Sequence, residues 1–496
     1  MPIPLIDLFA GPGGLNEGFN RVCASFGTRI FETRISVEME SSAHETLELR
    51  ALYRHLQDAG ELKSYYGYLR GEMTREELFS EFASLAKAAR AEALQATLGQ
   101  SESQNAEIEQ RIRDALGRTP SGECVLIGGP PCQAYSLAGR ARRTNDEHFE
   151  DDNKHYLYRE YLNIVRRFRP AAFVMENVPG LLSASNKGVR MFEMICADLL
   201  GAGYDLHSLN KPSGMTEKDN DPRRFVVDAE DFGVPQSRSR IFILGLRSDL
   251  NLKPQFLVQK AGEAATVSDV IGDLPRIRSR LSKEFDSSEM WRRAISGLAV
   301  YQFEMLEDGF RTRLLERIQM VPHYRNLGKR WMARDNPGPK KLSRWFAAPQ
   351  FDAVVNHNSR GHMRSDLMRY FFWSQYAEFY GRSPTLSEVP NFLRPNHKNV
   401  LGDAIGLPFG DRFRVQVASR PSTTVVSHIS KDGHYYIHYE PKQCRSLSVR
   451  EAARLQTFPD NYFFEGGVTD QYRQVGNAVP PYLAMQIGQL VASILQ

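Results

Sequence analysis

Val125-Leu126-Ile127 runs directly into Gly128-Gly129-Pro130-Pro131-Cys132-Gln133-Ala134-Tyr135-Ser136. A cysteine pinned by two prolines after a glycine pair is poorly explained by core packing. At the end of a buried strand it suits a nucleophile, because the thiolate is the reactive form and a nearby helix N-terminus favours it. An inert turn cysteine is the plainer alternative. A second apolar run, Ala172-Phe173-Val174-Met175, ends in Glu176-Asn177-Val178-Pro179-Gly180 and would bring a carboxyl group to the same sheet edge. Thiol and carboxyl at neighbouring strand ends form a nucleophile and acid/base arrangement. Gln236-Ser237-Arg238-Ser239-Arg240 leads into the run Ile241 to Leu246, and alternation along an extended chain places Arg238 and Arg240 on one side. Either arginine serves the same edge or forms a structural ion pair.

A further loop lies near the N-terminus, where the strand-like Ile3 to Phe9 passes into Ala10-Gly11-Pro12-Gly13-Gly14 and then a helix-like segment. Glycines after a strand are as often a plain tight turn as a ligand loop. They do allow close backbone approach, and a helix N-terminus beyond them offers N–H groups to an anion. Glu38 ends the second strand candidate, Ile35-Ser36-Val37, about 25 residues on. Acidic residues at that place in doubly wound folds accept hydrogen bonds from ribose hydroxyls.

These loops need a largely parallel sheet to bring them together, and the alternation of apolar runs with helical patterns predicts one. From about 44 to 118 the chain is rich in Ala, Leu, Glu, Arg and Lys, with apolar residues at three- and four-residue spacing, and reads as a helical insertion. Past Pro254 the pattern becomes irregular and basic: residues 276–345 hold sixteen Lys/Arg against eight Asp/Glu, interspersed with Trp291, Tyr301, Tyr324, Trp331 and Trp345. That is either a solvated basic face or the footprint of nucleic-acid binding. Ser448 stands three residues before Glu451 as a capping box for a helix where the first fold resumes.

Composition sets the outer bounds. The 496 residues carry 63 Lys+Arg and 59 Asp+Glu, a net charge of +4, with 42% hydrophobic and 25% charged residues, as in a globular chain of two to four domains. No run approaches the ~18 consecutive apolar residues of a membrane span, and no secretory leader is read at the start. Five cysteines without CxxC spacing argue against a disulfide framework and for a reducing, cytoplasmic setting. The histidines lack metal spacing, so no metal is expected.

Six motifs taken in order resemble those of the cytosine-C5 DNA methyltransferases. They are Phe-Ala-Gly-Pro-Gly-Gly at 9–14, the Gly-Pro-Pro-Cys-Gln segment, Glu-Asn-Val-Pro-Gly at 176–180, Gln-Ser-Arg-Ser-Arg at 236–240, Arg-Glu-Ala-Ala-Arg-Leu-Gln-Thr-Phe-Pro-Asp at 450–460 and Gln-Val-Gly-Asn-Ala-Val-Pro-Pro at 474–481. The resemblance implies an α/β, Rossmann-like S-adenosylmethionine-dependent domain over 1–275, carrying the helical insertion, with a smaller target-recognition domain at 276–444 and a return to the catalytic domain at 445–496. It implies Cys132 as the nucleophile that adds to cytosine C6, Glu176 as the acid at N3, Arg240 on the O2 side and Arg238 in support. Phe9, Gly11, Gly13, Gly14, Glu38 and Asn477 match cofactor-binding positions. Gln133, Ser136 and Arg140 are assigned to DNA, and Gly139 to Asn153 to a loop closing over a flipped nucleotide. The implied partners are duplex DNA and other proteins of a restriction-modification or phage-defence system. S-adenosylhomocysteine is the implied product. Two departures stand out: Tyr135 where Phe is common, and no acidic residue placed for the adenine ring between Glu40 and Val125. An RNA cytosine methyltransferase with the same chemistry, and a DNA-binding regulator with vestigial catalysis, are the alternative readings.

Overall fold

The computed structural model describes residues 2–496 apart from 25–26, 120–121, 132–156, 187–188, 211–220, 261, 263, 302, 335, 349 and 396–412. The N-terminal half runs β1 (Ile3–Leu8), α1 (Gly14–Asn20), β2 (Phe31–Glu38), α2 (Ser41–Ala59), α3 (Leu62–Leu69), α4 (Arg75–Glu81), α5 (Ala83–Glu92), β3 (Ala93–Gln95), α6 (Glu102–Leu116), β4 (Val125–Gly128), α7 (Leu157–Phe168), β5 (Ala172–Asn177), α8 (Met191–Gly201), β6 (Tyr204–His207), β7 (Val226–Asp228), β8 (Gln236–Ser237) and β9 (Ser239–Arg247). After it come α9 (Val267–Ile271), β10 (Arg280–Leu281), α10 (Ser288–Ser296), α11 (Asp308–Gln319), β11 (Gly328–Ala333), β12 (Ala353–Asn358), β13 (Gly361–His362), α12 (Arg364–Tyr380), β14 (Ser422–Thr423), α13 (Val449–Leu455), α14 (Val468–Asn477) and α15 (Pro481–Leu495).

The main sheet has the order β3-β2-β1-β4-β5-β9-β6, with β7 also paired to β9. β3 through β5 are parallel, while β9 runs antiparallel to β5, β6 and β7. Parallel strands joined by helical crossovers are buried on both faces, which is why β1, β4 and β5 read as apolar runs with little alternation. One face packs on α1 and α15, through Leu5, Phe19, Val125, Val174 and Ile487. The other packs on α6, α7 and α8, through Ile6, Ile112, Leu126, Tyr161 and Ile195. The sheet winds from β1 outward both ways, so its switch point lies between β1 and β4, where doubly wound sheets open a ligand crevice beyond the strand ends.

One expectation changes here. The segment 44–118 is not wholly helical: Ala93–Gln95 forms β3 and pairs in parallel with Ser36 to Glu38 of β2. The segment therefore consists of two crossovers of the sheet itself, the first lengthened to four helices. Those helices pack inside the molecule, with Leu52, Leu56, Tyr65, Tyr66 and Phe79 sharing a core with Phe351, Val355 and Phe463.

The basic region has its own core around Trp291, Phe310, Leu314, Phe372 and Trp373, joined by Phe413 and Ile437. A further core joins it to the C-terminal helices, combining Val267 and Ile271 with Phe346, Val354, Val425, Tyr436 and residues of α13 and α14. Ser448 caps α13 in the expected box with Glu451. The stretch Val468–Leu495 is long and apolar enough by composition to cross a membrane, but it breaks between α14 and α15 and is mostly buried, α15 lying along α1.

Candidate active site

β4 ends at Gly128 and β5 at Asn177, and the parallel register sets Gly128 beside Met175. Glu176 therefore emerges next to the start of the loop that leads to Cys132. Gly129 makes room for it, since a Cβ there would lie 2.8 Å from Glu176 Oε2. Asn177 Nδ2 donates to the Pro130 carbonyl at 3.3 Å, tying the two strand ends together. Cys132, Gln133, Ser136, Arg140 and the segment Gly139 to Asn153 lie outside the described residues.

β9 crosses beside β5 with Phe242 opposite Glu176. Arg240, two residues earlier, falls on the same face, and its Nε sits 2.9 Å from Glu176 Oε1, both side chains mostly buried. Carboxylate and guanidinium together give a planar, amide-bearing ligand one acceptor and one fan of donors. Arg238 does something else. Fully buried, it donates from Nη1 to the Val425 carbonyl at 2.8 Å and from Nη2 to the Ala478 carbonyl at 2.9 Å. Burial, and then Arg240 nearby, hold its pKa well below the usual arginine value. It is a positioning residue that fastens the end of the basic region to the turn after α14.

Gln236 belongs to the same brace, although sequence reasoning assigned it no role. It accepts from the Val425 N–H at 2.8 Å and donates to Gln456 Oε1 at 3.0 Å, while Gln456 donates to the Val475 carbonyl at 2.8 Å. Gly476 exists for close approach, because a Cβ there would collide with Val426 and Ser427. Asn477 follows it, exposed at the end of α14.

At the end of β1, Phe9, Gly11 and Gly13 all have positive φ, 54°, 54° and 86°. Gly11 donates its N–H to Glu38 Oε2 at 2.8 Å, and Glu40 donates to Glu38 Oε1 at 2.8 Å. The burial of Glu38 raises its pKa, and these two N–H groups pull it back. A Cβ on Gly11 would meet nothing within 4 Å, so the turn has open space beside it. Gly14 is different: a Cβ there would strike the Val479 carbonyl, so its lack of a side chain serves packing between α1 and the α14–α15 turn.

Asp7, beneath this turn, is 1% exposed, and neither carboxylate oxygen has a hydrogen-bond partner among the described residues. Burial pushes its carboxyl up to about 8, with Asn16 pulling the other way and Glu38 adding to the rise. The only sequence signal for it was an acid interrupting an apolar run. No acidic side chain follows β3 directly, which continues as Gln95-Ala96-Thr97.

The sequence profile of the C-5 cytosine-specific DNA methylases matches residues 59–492. The chain belongs to that family. As a DNA (cytosine-5-)-methyltransferase, the methylase is 34% identical over 513 residues to the Type II methyltransferase M.Bpa9945I of Bacillus paralicheniformis, a match covering 99% of each chain. It is 29% identical to the Type II methyltransferase M.AgeI of Thalassovita gelatinovora, over 77% of this chain and 86% of that one. Among solved structures, one from E. coli described as a prophage-encoded DNA modification methyltransferase covers 99% of both chains at a TM-score of 0.54 and 19% identity, a likeness of fold. The methylase thus has the Rossmann-like sheet of its family, with Phe9, Glu38, Gly129 and Glu176 at the ends of β1, β2, β4 and β5.

Proposed function

We propose that the methylase transfers a methyl group from S-adenosylmethionine to C5 of a cytosine flipped out of a short, specific duplex DNA sequence, marking self DNA in a restriction-modification or phage-defence system. The observation that carries this reading is the Glu176–Arg240 pair, 2.9 Å apart, set over Gly129 on the strand beside the one that leads to Cys132.

The open space beside the turn of Phe9, Gly11 and Gly13, with the Glu38 carboxylate at its rim, suits an amino-acid and ribose ligand. Glu38 would hold the ribose hydroxyls and Asn477 would close the pocket. When bound there, S-adenosylmethionine supplies an electrophilic methyl group and leaves as S-adenosylhomocysteine.

Cytosine C5 is a poor nucleophile until something adds to the neighbouring carbon. The Cys132 thiolate forms a bond to C6, and the electron pair of the C5–C6 double bond moves to C5. Glu176, hydrogen-bonded at N3, shares its proton with the ring as negative charge develops there, and Arg240 holds the O2 side. After methylation the C5 proton is removed, the C5–C6 double bond re-forms and the thiolate is expelled. The base must leave the stack to reach Cys132, and Gly139 to Asn153 would close over it. Gln133, Ser136 and Arg140 would face the DNA.

The test is a map of 5-methylcytosine in genomic DNA from a methylation-free host making the wild-type protein or Cys132→Ala. Complete modification at one short motif, absent with the variant, is the expected result. Unmodified DNA from a host containing soluble, cofactor-binding protein would overturn the reading and turn attention to RNA.

A further inference from the structure

Between the basic region and α14 lies a cleft of about 470 Å³. Arg280 of β10, Arg360 from the turn between β12 and β13, and Lys431 from the turn after residues 427–430 line it, together with Ser359, Ser430 and Thr469. Among the described residues, no carboxylate lines it. Elsewhere in the basic region arginines are matched to acids: Arg278 to Asp286 at 2.7 Å, Arg276 to Glu440 at 2.9 Å, Arg313 to Glu378 at 2.9 Å and Arg369 to Asp366 at 2.8 Å. Arg360 instead donates from Nη2 to the Ile429 carbonyl at 2.7 Å and lies 4.2 Å over the Tyr472 ring. Its Nη1 and the Ser359 Oγ have no partner among the described residues. α14 begins beside the cleft with Gly467 at its N-cap, and the Asp470 carboxylate in its first turn lies against that end and offsets the helix's own positive potential, so the charge of the cleft comes from Arg280, Arg360 and Lys431. Asp286 acts on Arg280 from outside the lining and Asp470 stands in the first turn of α14, but with no carboxylate on the lining itself the cleft wall still concentrates anions.

We propose that this cleft grips a phosphate oxyanion of the duplex DNA backbone, at a site apart from the Glu176–Arg240 centre. It would anchor the duplex where the basic region meets α14, the helix that ends at Asn477. The proposal rests on the DNA-methylating reading above.

The test uses the full chain and a labelled duplex whose methylation by the wild type is measured first. If that duplex is not methylated, the functional reading fails. If it is, binding of wild type, Arg280→Gln, Lys431→Gln and the double variant is followed against salt. Losing one phosphate contact is expected to weaken the double variant about tenfold at ~0.1 M salt and to make the slope of log affinity against log salt shallower by about 0.9. Arg280→Lys should restore most of the affinity, and S-adenosylmethionine affinity and thermal midpoint report on folding. Unchanged affinity and slope in the double variant would overturn the proposal. Inorganic phosphate separates the two sources of the oxyanion. Phosphate that stabilises the wild type but not the double variant, with DNA binding equal in both, would assign the cleft to a free anion and overturn its role in DNA binding.

Discussion

The contact between Glu176 and Arg240 fixes where the Glu176 carboxyl group is held, and it does so by strand register rather than by loop conformation. Glu176→Gln keeps the shape and removes the proton, so turnover should fall by roughly 10²–10⁴-fold, as for loss of a positioned acid. Isothermal titration should show S-adenosylmethionine affinity within about twofold of wild type, because the substitution leaves the proposed cofactor site at Glu38 and the Gly11 turn untouched. Asp7 gives a second prediction. Its folded pKa of about 8 stands above the ordinary 3.8 of an unfolded chain, so the native state holds the extra proton between those values. The stability this contributes is fully present below about pH 4 and is lost as pH rises through 8. Asp7→Asn should flatten that decline, and thermal midpoints between pH 5 and 9 should show the variant gaining on wild type as pH rises. The site was legible where types and order coincide: Glu176 and Arg240 stand out at the ends of their apolar runs and lie in contact. Alternation alone groups Arg238 with Arg240. The break between β8 and β9 and its full burial direct it instead to two backbone carbonyls, which no spacing rule could show.

Among the elements, β3 escaped the sequence reading for a physical reason. Ala93-Leu94-Gln95 has no β-branched or aromatic residue and continues an alanine-rich helical run, so only pairing with β2 makes it extended. The strands rich in Val, Ile and Phe carried their own signal, and Ser448 and Glu451 showed the start of α13 because a capping box is local. Close approaches between elements carry no such signal until the partner is known. Gly476 packs α14 against Val426 and Ser427, whereas a Cβ on Gly201, at the end of α8, would meet nothing within 4 Å. Gly476→Ala should therefore cost about 1–3 kcal/mol through overpacking, and Gly201→Ala should be neutral or slightly stabilising. Urea unfolding of the two variants beside wild type reads the contrast directly.

At the scale of the molecule, the basic region is joined to α13 through buried polar contacts as well as through the apolar core around that helix. His357 of β12 sits 2.8 Å from Ser448 Oγ at the head of α13 and 2.8 Å from the Pro275 carbonyl. Burial lowers its pKa to about 4, so it stays neutral in the folded chain. A histidine whose folded pKa is depressed contributes stability that is present above about 6.5 and is lost as pH falls toward 4. The His357 contribution runs against that of Asp7 over this range, so the readout is the difference between variant and wild type: His357→Asn, less stable at neutral pH, should gain on wild type in thermal midpoint as pH falls from 6.5 toward 4. The sign is opposite to that of Asp7, so the two variants separate the effects. The change in pattern after Pro254 is visible in the sequence, and residues 281–444 contribute a separate apolar core. The core shared by residues 265–271, 346–354 and 449–475 is not visible there, because it is assembled from segments far apart in sequence. The packing of α15 along α1 has a consequence for how the protein is made. Phe19 and Leu5 wait for Ile487 and Val491, more than 460 residues later. At ~5–20 residues per second a ribosome takes roughly half a minute to a minute and a half to supply them. Until then the apolar sheet face that these residues complete stays open on the nascent chain.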